Sequence, residues 1–335
     1  MKVELAPGYS ISRVIKGGWQ LAGGHGPIDG GAALSDMARF AAAGITTFDC
    51  ADIYAGVEEL IGRFRSQTGA AIQVHTKYVP DLHALATVDR AATRRTIERS
   101  LARLRCEALD LVQFHWWDYR EPRYVELAGQ LEDLRREGLI RHIGATNFDG
   151  ARLQAILDSG VPIVSHQVQY SLVDRRPEAM AALAKRRGVA LVCYGALLGG
   201  FLHERWLGAA PPAEPLENRS LVKYRLVIEE YGGWPAFQRL LEACAAIARK
   251  HETSIGAVGI AWTLSRPAVK AVIVGARDAS HLAATLRAVS LRLDAEDLAT
   301  LDGLVGPGPS GDVYALERDR EGPHGRIMKY DLNAT

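Results

Sequence analysis

Apolar and polar positions alternate along this chain in two rhythms. Short runs rich in β-branched and aromatic residues read as strands. They lie near Ile11–Ile15, Thr46–Asp49, Ile72–Thr76, Leu109–His115, Ile140–Ala145, Ile163–Gln167, Ala190–Tyr194 and Val269–Val274. Between them, apolar residues three and four apart predict helices near Ala33–Ala43, Glu58–Phe64, Val88–Leu104, Pro122–Glu137, Ala151–Ser159, Pro177–Arg187, Trp234–Lys250, Ser254–Leu264 and Ser280–Arg287. Gly44, Gly138, Gly160 and Gly188 each stand between a helix and the next strand, where a left-handed helix C-cap is expected.

Alternating strand and helix signals imply parallel strands joined by right-handed crossovers. Eight such units in 335 residues predict an α/β fold: one closed (β/α)8 barrel, a single domain over residues 1–335. A doubly wound sheet would carry a glycine-rich phosphate fingerprint after its first strand, and Gly23-Gly24-His25-Gly26 lacks that spacing. Two stretches depart from a bare barrel. Gly199 to Gly233, after the seventh strand, is a long connection rich in Pro, Glu and Gly, expected as a lid loop. The tail from Gly306 to Thr335, with Pro307, Pro309, Tyr314 and Tyr330, is expected to wrap over the barrel mouth.

Composition narrows the class. Net charge is +1 and no run of five basic residues occurs, which argues against nucleic acid or anionic lipid as a partner. The longest uncharged apolar run, Gly188 to Leu202, falls short of the roughly 18 residues of a membrane span. Four scattered cysteines and the absence of an apolar N-terminal signal core predict a soluble cytoplasmic protein with free thiols.

The candidate chemistry sits at strand ends, where barrel enzymes gather their catalytic groups. Asp49 and Tyr54 flank the loop after the second strand; Lys77 ends the third and His115 the fourth. A tyrosine donates a proton near neutral pH only if its phenol is made more acidic than its usual value of about 10. A lysine cation does that by stabilising the phenolate, and a carboxylate keeps the lysine charged. A histidine at the same place can orient a carbonyl oxygen. The four side chains therefore predict one proton-donating site suited to carbonyl reduction.

The same stretches resemble the aldo-keto reductases over nearly the whole chain. Phe48-Asp49-Cys50-Ala51-Asp52-Ile53-Tyr54 is similar to that family's catalytic tyrosine motif, with Cys50 in place of Thr. Leu109-Asp110-Leu111 through His115-Trp116-Trp117-Asp118 resembles its histidine strand, with Trp117 where Pro is common. Ile140-Arg141-His142-Ile143-Gly144-Ala145-Thr146-Asn147-Phe148 and Gln167-Val168-Gln169-Tyr170-Ser171-Leu172 match two further signatures. The resemblance implies a nicotinamide cofactor, NADPH with NADH as the alternative, and a small carbonyl substrate. It implies Tyr54 as proton donor, with Lys77 and Asp49 tuning it and His115 orienting the substrate. It further implies that Thr146, Asn147 and Gln167 hold the carboxamide and that Tyr194 stacks on the nicotinamide ring, with Gly195 and Leu197 beside it. Gly195 stands where the family often has Ser. Gly275, Arg277 and His281 are expected at the adenosine end, and a neutral His281 is a poor substitute for a guanidinium fork. Trp19, Trp116 and Trp117 are expected to line an apolar substrate pocket. No HExxH or paired ligand set suggests a metal. The competing reading is a regulatory or redox-sensing subunit that binds cofactor with little turnover; the lack of a long arm before Ile11 counts against it.

Overall fold

The computed structural model describes residues 1–333 apart from Gly24, Val305 and Pro307, so Pro307 and Thr335 of the tail lie outside the described residues. Eight parallel strands close a barrel: β3 (Val14–Gly17), β4 (Thr47–Asp49), β5 (Gln73–Tyr78), β6 (Leu109–Phe114), β7 (Ile140–Thr146), β8 (Ile163–Gln169), β9 (Ala190–Tyr194) and β10 (Val269–Gly275), with β10 pairing back onto β3. Helices α1 (Gly30–Ala42), α2 (Val57–Thr68), α3 (Arg90–Leu104), α4 (Tyr124–Arg136), α5 (Gly150–Asp158) and α6 (Glu178–Arg186) make the first six crossovers. The four expected helix-ending glycines all take φ between 67° and 90°.

Ahead of the barrel, β1 (Lys2–Ala6) and β2 (Tyr9–Ser12) form an antiparallel hairpin. The expected strand over Ile11–Ile15 is therefore two strands broken at Arg13, one in the hairpin and one in the barrel. Alternation could not show the break, because Ile11 and Ile15 are both buried; the signal was the Pro7-Gly8 turn, with Gly8 at φ 72°. Leu5 and Ile11 pack with Ile15, Ala190, Val192, Ala271 and Ile273 and so plug the N-terminal end of the barrel. Ser12 and Thr47 lock the plug by exchanging backbone-to-hydroxyl hydrogen bonds of 2.9 and 3.0 Å.

The seventh crossover corrects the sequence reading. Residues 199–233 are not loop throughout, because α7 (Arg219–Tyr231) occupies their second half. Asn218 caps it by accepting from Leu221 N at 3.1 Å, and Leu221, Tyr224, Val227, Ile228 and Tyr231 make its buried stripe. Next come α8 (Gly233–Lys250) and α9 (Ile255–Leu264), then, past β10, α10 (Leu282–Ser290) and α11 (Ala295–Gly303). The tail adds two single-turn helices, α12 (Ala315–Arg318) and α13 (Pro323–Arg326). Among the described residues, no helix is long and apolar enough to cross a membrane.

Candidate active site

Asp49, Lys77 and His115 stand at or just past the C-terminal ends of the adjacent strands β4, β5 and β6. Parallel pairing puts Asp49 opposite His75, so Lys77, two residues further along β5, shares that face and reaches back across the strand end. Its Nζ donates to Asp49 Oδ1 at 2.6 Å and to Cys50 O at 2.8 Å. Asp49 Oδ2 accepts from Gln113 Nε2 at 3.0 Å and from Gln167 Nε2 at 2.7 Å, so neither carboxylate oxygen is idle. Tyr54, on the loop after β4, lies with its ring centroid 4.9 Å from the Lys77 ammonium.

Electrostatics partly corrects the expectation of an acidic phenol. Burial raises the Tyr54 phenol above its ordinary value, and the Lys77 charge and hydrogen bond pull it down without overcoming that rise. Burial alone would lower the Lys77 ammonium, but the Asp49 charge and hydrogen bond hold it above the ordinary lysine range. Lys77 therefore stays charged and Tyr54 stays protonated at neutral pH.

His115 is pushed down to about 3, chiefly by burial, so its ring is neutral. Nδ1 lies 3.2 Å from Thr146 O, and a carbonyl only accepts, so Nδ1 carries the proton. Nε2 then holds a lone pair, and it is buried without a partner. In this tautomer His115 accepts a hydrogen bond instead of donating one to a carbonyl, contrary to the role expected for it.

The residues expected at the carboxamide converge beside these four. Asn147 sits just past β7 at φ 61°, its N–H donating to Gln167 O at 3.0 Å and its Oδ1 accepting from Tyr194 OH at 2.9 Å. Thr146, Gln167 and Tyr194 line the same cavity, which has a volume of about 600 Å3. The cavity runs on past Gly195 and Leu197 to Gly275, Arg277 and His281. A Cβ at Gly195 would lie 2.6 Å from Tyr224 Oη, and one at Gly275 would lie 2.0 Å from Gln20 Nε2. At Gly195 the φ of 84° adds backbone strain to the crowding, whereas at Gly275 the obstacle is the movable end of the Gln20 side chain.

Two of the three tryptophans belong to the cavity. Trp19 packs 5.1 Å from the Tyr54 ring, and Trp117 stands edge-on to His115 at 4.2 Å. Trp116 does not line it: only 1% exposed, it donates its indole N–H to Asp118 O and Glu121 O, both at 2.9 Å. Side chains alternate along an extended segment, so with His115 and Trp117 inward, Trp116 turns out into the helix layer.

Sequence reading missed the contribution of α7, which brings Arg219, Lys223 and Tyr224 to the cavity wall. The apolar stripe of Leu221, Tyr224 and Val227–Ile228 was the available signal. Neither Arg219 nor Arg277 has a carboxylate partner among the described residues; they donate to the carbonyls of Ile327 and Pro27 at 2.7 and 3.1 Å. One grouping with metal-ligand chemistry, His251, Asp294 and Asp297, lies away from the cavity. The Lys250 ammonium already bonds both of its carboxylates, at 2.6 and 2.8 Å.

Known proteins share this architecture and sequence. An oxidoreductase of Bacillus subtilis called YrpG is 30% identical over 296 residues, covering 81% of this chain and 85% of its own length. Flagellar radial spoke protein 5 of Chlamydomonas reinhardtii is 27% identical over 256 residues, covering 64% of this chain and 48% of that protein. The crystal structure of the thermostable aldo-keto reductase Tm1743 with the inhibitor epalrestat superposes with a TM-score of 0.73 at 26% identity, covering 91% of this chain and 99% of that one. The description of the Aldo/keto reductase family matches residues 13–305, which take in every strand of the barrel, and the chain belongs to that family.

Proposed function

We propose that the chain reduces an aldehyde or ketone to an alcohol with a nicotinamide cofactor, and that Tyr54 is the proton donor. The observation that carries this reading is the cluster of Tyr54, Lys77 and Asp49 at one cavity wall, with Lys77 Nζ 2.6 Å from Asp49 Oδ1. The cavity lining fits a dinucleotide: it is long, and it carries two arginines with no carboxylate partner among the described residues and a buried Gln20 Oε1 with no partner. Asn147, Gln167 and Thr146 would hold its carboxamide, and Tyr194 would offer a flat face to its ring. Bound there, the cofactor supplies the hydride that reaches the carbonyl carbon.

Tyr54 gives its hydroxyl proton to the oxygen as negative charge develops on it. The Lys77 ammonium then faces the phenolate left behind, and Asp49, fixed by Gln113 and Gln167, keeps that ammonium in place. Neutral His115, with its lone pair at Nε2, accepts a hydrogen bond from the hydroxyl of the alcohol product. Trp19, Trp117, Ile53 and Val79 surround this end with apolar surface that excludes water. Arg277 or Arg219 would favour NADPH over NADH by meeting the 2′-phosphate, the one group that distinguishes the two. The free thiols of Cys50, Cys106, Cys193 and Cys244 suit the reducing cytoplasm.

The test is NADPH oxidation with a panel of aldehydes and ketones, repeated with NADH. Tyr54→Phe is expected to lower kcat by about 100-fold or more while leaving cofactor binding intact. Unchanged turnover in that variant sinks the proposal. A relative described as a radial spoke component motivates one competing reading, a cofactor-binding part without turnover. Tight NADPH binding with no oxidation across the panel would favour it.

A further inference from the structure

The family match ends at residue 305, yet the tail beyond it reaches into the cavity. Tyr314, buried and at φ 65°, packs 5.5 Å from His115 and starts α12. Glu317 anchors that turn from below: Arg176 donates to its two oxygens at 3.1 and 3.3 Å, and both residues are buried. The next residue, Arg318, is thereby delivered to the end of β7.

Arg318 has no carboxylate partner among the described residues; its guanidinium spends its donors on carbonyls. NH1 donates to Asn147 O at 2.9 Å and NH2 to Val313 O at 2.7 Å. The guanidinium carbon lies 4.4 Å from the centroid of Tyr119 and 6.0 Å from that of Tyr314. A planar fork between aromatic faces can bond two carbonyls at once, which a point-charge ammonium does poorly.

The carbonyl it holds belongs to a residue in need of holding. A φ of 61° is uncommon outside glycine, and asparagine tolerates it better than most residues, so what the contacts around Asn147 fix is the exact setting of its peptide and amide. Gln167 O fixes the Asn147 N–H, Tyr194 OH fixes Oδ1, and Arg318 fixes the carbonyl. Of the polar groups of Asn147, Nδ2 alone has no protein partner among the described residues, and its two N–H groups are what a ligand amide oxygen would meet.

We infer that Arg318 is a positioning residue of the cofactor site: by clamping the Asn147 carbonyl it aims the Asn147 amide, so the C-terminal tail sets the grip on the nicotinamide end. The inference rests on the proposed placement of the nicotinamide beside Asn147. Removing the clamp leaves the peptide after Asn147 held on one side only, by the Phe148 N–H on His166 Nε2 at 3.1 Å, so that it can tilt about that bond and take Nδ2 out of line. Binding of the adenosine end, at the far side of the cavity, is independent of it.

The full-length chain and its Arg318→Leu and Arg318→Lys variants should be titrated with NADPH and, separately, with adenosine 2′,5′-bisphosphate. Arg318→Leu is expected to weaken NADPH about tenfold or more, as loss of a charged hydrogen bond does, with adenosine 2′,5′-bisphosphate binding unchanged. The KM for NADPH should rise with that for the carbonyl substrate nearly constant, and Arg318→Lys should recover part of the loss. Unchanged NADPH affinity in Arg318→Leu overturns the inference and leaves the proposed function standing. Equal loss of both ligands, with a lower Tm in both variants, also overturns it, since the tail would then be merely structural. Failure of the wild-type chain to bind NADPH overturns the proposed function, and this inference with it.

Discussion

Gln167 Nε2 donates to Asp49 Oδ2 at 2.7 Å and to Gln113 Oε1 at 2.9 Å. One side chain thus joins the strand end expected to hold the carboxamide to the carboxylate that orders Lys77, so the proposed cofactor grip and the proposed proton donation share a hydrogen-bond network. Gln167→Glu should show this. The new carboxyl can donate to Asp49 only while protonated, so activity should be kept at acid pH and fall at least about tenfold as the pair ionises towards neutral pH. A kcat profile parallel to that of the wild type would show the link to be idle.

Acid should loosen the same region. His166 Nε2 accepts from Phe148 N, the residue after Asn147, at 3.1 Å, and burial pushes its ring down to about 3. The unfolded ring titrates near 6.5, so below about pH 6.5 the unfolded chain takes up a proton that the folded one refuses. Stability from this source is complete above that pH and is lost as pH falls towards 3. His75 and His115, also pushed down to about 3 by burial, act in the same sense. In His166→Gln, whose amide oxygen can still accept, the acid-side slope of unfolding free energy should drop by up to about 1.4 kcal/mol per pH unit. Urea unfolding between pH 7 and 4 measures it.

Gly195 explains its own departure from the family pattern. Its φ is 84°, and a Cβ there would lie 2.6 Å from Tyr224 Oη and 3.1 Å from Cε1. Gly195→Ser should destabilise by about 1–3 kcal/mol from backbone strain and crowding together. Adding Tyr224→Phe should recover part of that and not all, because the positive φ remains. Thermal unfolding of both variants decides it; a single variant as stable as the wild type would mean that α7 yields.

Trp116 and Trp117 should separate cleanly. Trp116→Ala empties a fully buried site and should cost about 3–5 kcal/mol of stability. Trp116→Phe should leave the KM for carbonyl substrates within about twofold of the wild type, as it touches no substrate. Trp117→Phe removes a buried indole N–H that has no protein partner and should shift those KM values. The reverse pattern would contradict the inward–outward assignment.

The barrel and most of its strand ends are legible because several strands repeat one device: an apolar run closed by a polar residue at the rim, as at Asp49, Lys77, His115 and Thr146. Lys77 and His115 were readable on that ground. What stayed hidden depends on partners far away in the chain. The stripe of α7 sat behind Pro211, Pro212 and Pro215, which read as loop. Tyr314 takes a left-handed backbone that no local pattern demands, and the net direction of the Tyr54 shift depends on burial, which spacing does not measure. Trp116 departs from expectation for a simpler reason: three consecutive residues, His115 to Trp117, cannot all face one side of an extended backbone.

The hairpin of Leu5 and Ile11 also shapes traffic. With that end stoppered and the interior filled by side chains, the rim that carries Tyr54 is the open face, and a ligand that reaches the cavity there enters and leaves on the same side.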